Sequence, residues 1–74
     1  MSIEIELFGQ LTSSTERRRT LDIGRPTLIR DVVNRLDLKE DEVGLITVDG
    51  VQSEPGEYVH PGSRLCLFPY MSGG

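Results

Sequence analysis

The sequence predicts an α+β domain: one mixed sheet of four to five strands, a single packed helix and a protruding C-terminal tail. Three observations predict it. "SIEIELF" and "RLCLF", near opposite ends of the chain, alternate in the period-two manner of strands. "GRPTLIRDVVNRLDL" places its apolar residues at helical spacing. The 74 residues, 36% of them hydrophobic and none of them tryptophan, suffice for one thin core.

In the first strand Ile3, Ile5 and Leu7 point one way and Glu4, Glu6 and Phe8 the other, until Gly9 ends the run. Residues 10–16, "QLTSSTE", read as a polar turn. "RRRTLDI" follows as a returning hairpin strand, with Arg19, Leu21 and Ile23 on one face. Gly24 breaks that strand, and Thr27 reads as the cap of the helix. Leu28, Ile29, Val32, Val33 and Leu36 then form one apolar stripe. Asp31 in the first turns and Arg35 near the end suit the helix dipole. "KEDE" is a solvated loop that lacks the ligand spacing of a calcium loop. "VGLITVDG" is a third strand closed by the turn pair Asp49-Gly50. Residues 51–63 read as irregular chain with one short strand, and Pro69 ends the last strand. That last strand is apolar on both faces, with Leu65 and Leu67 on one and Cys66 and Phe68 on the other, so it belongs in the middle of the sheet, or else one face meets a partner. Set parallel beside the first strand with the helix across them, it gives a β-grasp fold. Residues 1–69 form the domain, and residues 70–74 form a flexible tail.

Composition bounds the function. A thin core leaves little room for a deep pocket, which disfavours a self-sufficient enzyme. The formal charge of −4, from 12 acids against 8 bases, disfavours nucleic acid and suits a basic protein partner. Cys66 is the one cysteine, so no intramolecular disulfide is needed. "MSIEIELFG" carries acids where a signal peptide carries bases, and no apolar run approaches the ~18 residues of a membrane span. The cytoplasm is the expected location.

The sequence also carries motifs: "LFG" after the opening strand, "VDG" after the third, "HPGSRLCLFP" and a final Gly73-Gly74. With one amphipathic helix between them, they make the chain resemble, over nearly its whole length, the ThiS/MoaD family of ubiquitin-like sulfur carriers. Pro61-Gly62-Ser63 matches the family's turn, and Phe68-Pro69 matches its strand end. Tyr70 stands where a second proline is common and Ser72 where alanine is common, which leaves the partner enzyme and pathway open.

The resemblance implies a carrier rather than an enzyme. No residue of this chain is catalytic. The Gly74 carboxylate would be adenylated by a ThiF/MoeB-like activating enzyme that uses ATP and Mg²⁺. A sulfur donor would then convert it to a thiocarboxylate, and an acceptor synthase subunit would consume the sulfur. Molybdopterin synthesis is slightly favoured over thiamine synthesis. An ionised carboxylate with a pKa near 3.5 is a poor electrophile, which is why activation is required. Glycines at 73 and 74 keep the thread narrow, and five extended residues reach about 16 to 18 Å into an enclosed site. The partner surface would comprise Phe8, Cys66, Phe68, Pro69, Tyr70 and Met71. Two other functions fit the same residues: a ubiquitin-like modifier forming isopeptide bonds, and a non-catalytic β-grasp interaction module.

The remaining candidates have plainer readings. Mid-strand Cys66 is a small apolar residue rather than a sulfur relay. His60 beside Pro61 is an exposed turn residue, and no metal site is expected of it. Arg17, Arg18 and Arg19 alternate faces in a strand and so cannot act as one patch.

Overall fold

A computed structural model of the chain describes residues 1–11 and 17–70. The elements are β1 (Ser2–Leu7), β2 (Arg18–Asp22), β3 (Thr27–Leu28), α1 (Ile29–Arg35), β4 (Val43–Val48), β5 (Val51–Ser53), β6 (Tyr58–Val59) and β7 (Arg64–Pro69). Single 3₁₀ turns lie at Gly9–Leu11 and Glu40–Glu42. Five strands form one sheet in the order β2-β1-β7-β4-β5. β7 runs parallel to β1 and antiparallel to β4, and the two outer pairs are antiparallel. The strand that is apolar on both faces is therefore central, and the fold is a β-grasp.

One face of this sheet carries the core. Ile3, Ile5, Leu7, Leu65, Leu67 and Ile46 pack with Ile29, Val32 and Val33 of α1, all of them buried. At about 1.5–3 kcal/mol per fully buried aliphatic side chain, this contact is what holds a seven-residue helix that is too short to persist alone. Among the described residues no helix is long and apolar enough to cross a membrane.

Thr27 does not cap the helix. It lies in β3, paired with Val59 of β6, and its hydroxyl donates to the Arg25 carbonyl at 2.9 Å. The N-cap position is Leu28, with no side-chain hydrogen bond. Backbone serves instead: the Ile29 and Arg30 N–H groups donate to the Glu57 and Pro55 carbonyls at 2.9 and 3.1 Å. Two of the helix's orphan donors are thus satisfied by the returning 55–57 segment. At the other end Asp37 has φ +61, its N–H donates to Asn34 O, and the Leu38 N–H donates to Val33 O. That is the Schellman pattern, with Leu38 packed against the core.

Other expectations also shift. Leu11, read as part of a polar turn, is buried in the core. Residues 51–63 hold two short strands rather than one, and they belong to different sheets, since β3 and β6 pair separately. Pro69 is the last residue of β7, opposite Val43, rather than the residue after it. The Asp49-Gly50 turn closes the β4–β5 hairpin as expected. Both residues have positive φ, as a two-residue turn between right-twisted strands requires.

Candidate functional site

The second face of the sheet is formed by the residues that alternate with the core. Strand register aligns Glu4 with Arg64 and Glu6 with Cys66 across β1–β7, and Thr47 with Cys66 and Leu45 with Phe68 across β4–β7. Glu6 also lies opposite Arg18 of β2. The face therefore divides in two. Toward the start of β7 it is ionic, with Arg64 Nη2 donating to Glu6 Oε1 at 3.2 Å. Toward the end of β7 it is apolar.

Phe8 and Phe68 make the centre of the apolar half. Their rings stack with centroids 4.4 Å apart and planes 6° from parallel. The Phe8 N–H donates to Leu67 O at 3.1 Å, which fixes the chain as it leaves β1. Because the rings cover each other they are half-buried rather than fully exposed. Cys66 beside them is also half-buried and free. Leu45 is 38% exposed and Tyr70 60%, and they widen the apolar area. Sequence reading did not single out Leu45. The signal was obscured by an irregularity in β4, where the register slips between Val43 and Leu45 and Gly44 is the additional residue. The slip puts Val43 and Ile46 on the core face together and turns Leu45 and Thr47 to the other face.

The chain leaves the sheet through a tight seat. A Cβ at Gly9 would lie 2.8 Å from Pro69 Cγ, and Gly9 itself has φ +59. The glycine of "LFG" thus serves both its own backbone and the proline that ends β7. On the other side a Cβ at Gly44 would lie 2.9 Å from Tyr70 Cα. Neither glycine was linked to the tail by sequence reasoning, because both contacts join segments far apart in the chain. Tyr70 borders two grooves, one with Lys39, Glu40, Gly44 and Glu54 and one with Leu11, Asp41 and Glu42. Acids outnumber bases along these grooves, with Lys39 beside them and Glu40 paired to Arg30 at 3.5 Å.

Of the residues expected at the site, Phe8, Cys66, Phe68, Pro69 and Tyr70 come together at this end of the sheet. Met71, Gly73 and Gly74 lie outside the described residues. His60 sits at the opposite end of β7, in the turn where the Ser63 N–H donates to its carbonyl at 3.1 Å. Arg17, Arg18 and Arg19 are exposed, and Arg18 and Arg19 face Glu6 and Ile5 across β1, on opposite faces of the sheet. Among the described residues no group of three His, Cys, Asp or Glu side chains is placed to hold a metal.

No protein-family model matches the chain, and no curated protein matches it. Solved structures do. A crystal structure of small archaeal modifier protein 1 from Haloferax volcanii is 25% identical over 100% of both chains, with a TM-score of 0.74. A second structure of that protein is 20% identical over 95% of this chain and 98% of the other, with a TM-score of 0.76. A complex of subunits 1 and 2 of molybdopterin-converting factor from Helicobacter pylori 26695 contributes a chain 19% identical over 100% of both, with a TM-score of 0.62. The fold is ubiquitin-like. Within that class it is ThiS/MoaD-like, in keeping with the family that the sequence motifs resemble.

Proposed function

We propose that this chain is a ubiquitin-like sulfur carrier whose Gly74 carboxylate is activated by a partner enzyme. The observation that carries the reading is the exit itself. The central strand delivers the chain at Pro69 and Tyr70 beside an apolar patch, and Gly73-Gly74 follow three and four residues later in sequence. Docking on Phe8, Phe68 and Leu45 would hold the domain while the tail enters an adenylation site.

The chemistry is an acyl transfer in three steps. The Gly74 carboxylate attacks the α-phosphate of Mg²⁺-bound ATP, forming the acyl-adenylate and releasing pyrophosphate. The terminal sulfur of a donor persulfide attacks the acyl carbon, and AMP leaves. A second thiol on the donor cleaves the remaining S–S bond, giving the thiocarboxylate and a donor disulfide. The catalytic groups belong to the partners, and this chain is substrate and carrier. The molybdopterin-converting factor complex pairs its two subunits, which supports a synthase subunit as the acceptor and molybdopterin over thiamine as the pathway.

A second reading, a protein modifier joined to lysines through the same adenylate, is favoured by the fit to small archaeal modifier protein 1, at TM-scores of 0.74 and 0.76 against 0.62. Probing a lysate for this chain separates them. A ladder of covalent adducts supports the modifier, and a single thiocarboxylated species supports the carrier. Deleting Gly73 and Gly74 tests both against a plain interaction module. Binding should survive the deletion and adenylation should not. Adenylation that persists would refute the role of the tail.

A further inference from the structure

Gly44, the additional residue at the β4 irregularity, is not made a glycine by a left-handed backbone. Its φ lies outside the left-handed region, so φ strain does not exclude a side chain there. Glycine within a strand is weakening, since it adds disorder to the unfolded chain and offers no side chain to pack. What excludes a side chain is the exit of the chain. A Cβ at position 44 would lie 2.9 Å from Tyr70 Cα and 3.0 Å from both Pro69 O and Tyr70 N. All three are backbone atoms, so no side-chain rotation relieves the contact, and the chain at 69–70 has to move. Gly24, by comparison, has nothing within 4 Å of its Cβ position.

We propose that Gly44 is a positioning residue: its missing Cβ lets the Tyr70 backbone lie against β4 and so sets the direction in which the chain leaves the sheet. Its consequence for activation rests on the function proposed above. Gly9 seats Pro69 from the other side, but its positive φ mixes backbone strain with contact. Gly44 isolates direction alone. A residue at 44 leaves the Phe8–Phe68 stack in place but displaces Tyr70, itself expected at the partner surface, and misaligns the carboxylate, so it acts chiefly on turnover.

The test uses Gly44→Ala and Gly44→Val in the full ¹⁵N-labelled chain, with Gly24→Ala as control. Amide shifts and residual dipolar couplings should change at Phe68, Tyr70 and residues 43–45 and nowhere in β1 or α1. With an adenylating partner, kcat should fall about 10- to 100-fold, the cost of misplacing a reacting group by about an ångström, and the change in KM should be the smaller of the two effects. Gly24→Ala should change neither. Unmoved Tyr70 signals overturn the proposal. So does loss of the fold, which would mean that Gly44 holds the sheet rather than aims the exit. Undiminished kcat with a displaced Tyr70 overturns the link to activation. If the parent chain is not adenylated at all, the proposed function fails, and the Tyr70 signals still decide the positioning role.

Discussion

Phe8 and Phe68 make the only stacked aromatic pair among the described residues, on the sheet face away from the helix. A stacked pair contributes about 0.5–1.5 kcal/mol beyond its buried area. A double-mutant cycle with Phe8→Ala and Phe68→Ala should return a coupling energy in that range by chemical denaturation. Either variant should also raise KM for the adenylating partner with little effect on kcat, the reverse of the Gly44 variants. A coupling energy near zero would mean that the rings merely share a surface. Gly9→Ala should destabilise by about 1–3 kcal/mol, since it places a non-glycine residue at φ +59 and drives its Cβ into the Pro69 ring. Equilibrium unfolding measures this directly. Both aromatic residues are legible in the sequence from alternation alone. The glycine contacts are not, because no local pattern reports which distant backbone will press against a given Cα.

At the scale of elements, the helix ends give the clearest contrast between pattern and outcome. The stripe Ile29, Val32 and Val33 specifies the helix and its buried face. Its start is set elsewhere, by the carbonyls of Pro55 and Glu57, so a rule about capping side chains picks the wrong residue in Thr27. β3 and β6 are invisible for a related reason. Each is two residues long and exists because tertiary packing brings them together. β1 and β7 are legible because their alternation runs unbroken, and the central place of β7 follows from its two apolar faces. At the helix C-terminus Asp37 occupies a left-handed position. Asp37→Gly should stabilise by about 0.5–1 kcal/mol, the left-handed cost less the freedom glycine adds to the unfolded chain. The denaturation midpoint should rise with its slope unchanged. A fall in the midpoint would contradict the assigned cap.

For the whole molecule, the sheet works as a platform with two sides. One side is sealed by α1, and the other ends in an apolar patch beside the exit of the chain. Acids predominate at that exit, with Glu40 and Glu54 beside Lys39 in one groove, Glu42 in the other and Asp41 bordering both, although Glu40 is paired with Arg30. The ionic half of the outer face is balanced, Glu4 and Glu6 against Arg18 and Arg64. Attraction for a basic partner therefore concentrates at the exit. KM for the partner should rise with ionic strength above about 0.15 M, where screening acts within about 8 Å. A salt-independent KM would place recognition in the apolar patch alone.

On the function proposed here, the Gly74 carboxylate is the reacting group. The most direct measurement is the intact mass of the chain, prepared to end at Gly74, after incubation with the adenylating enzyme, ATP, Mg²⁺ and a persulfide donor. A species heavier by the difference between sulfur and oxygen is expected, with the change located at the terminal carboxyl group by fragmentation. An unchanged mass, with the same enzyme and donor active on a known carrier, would contradict it.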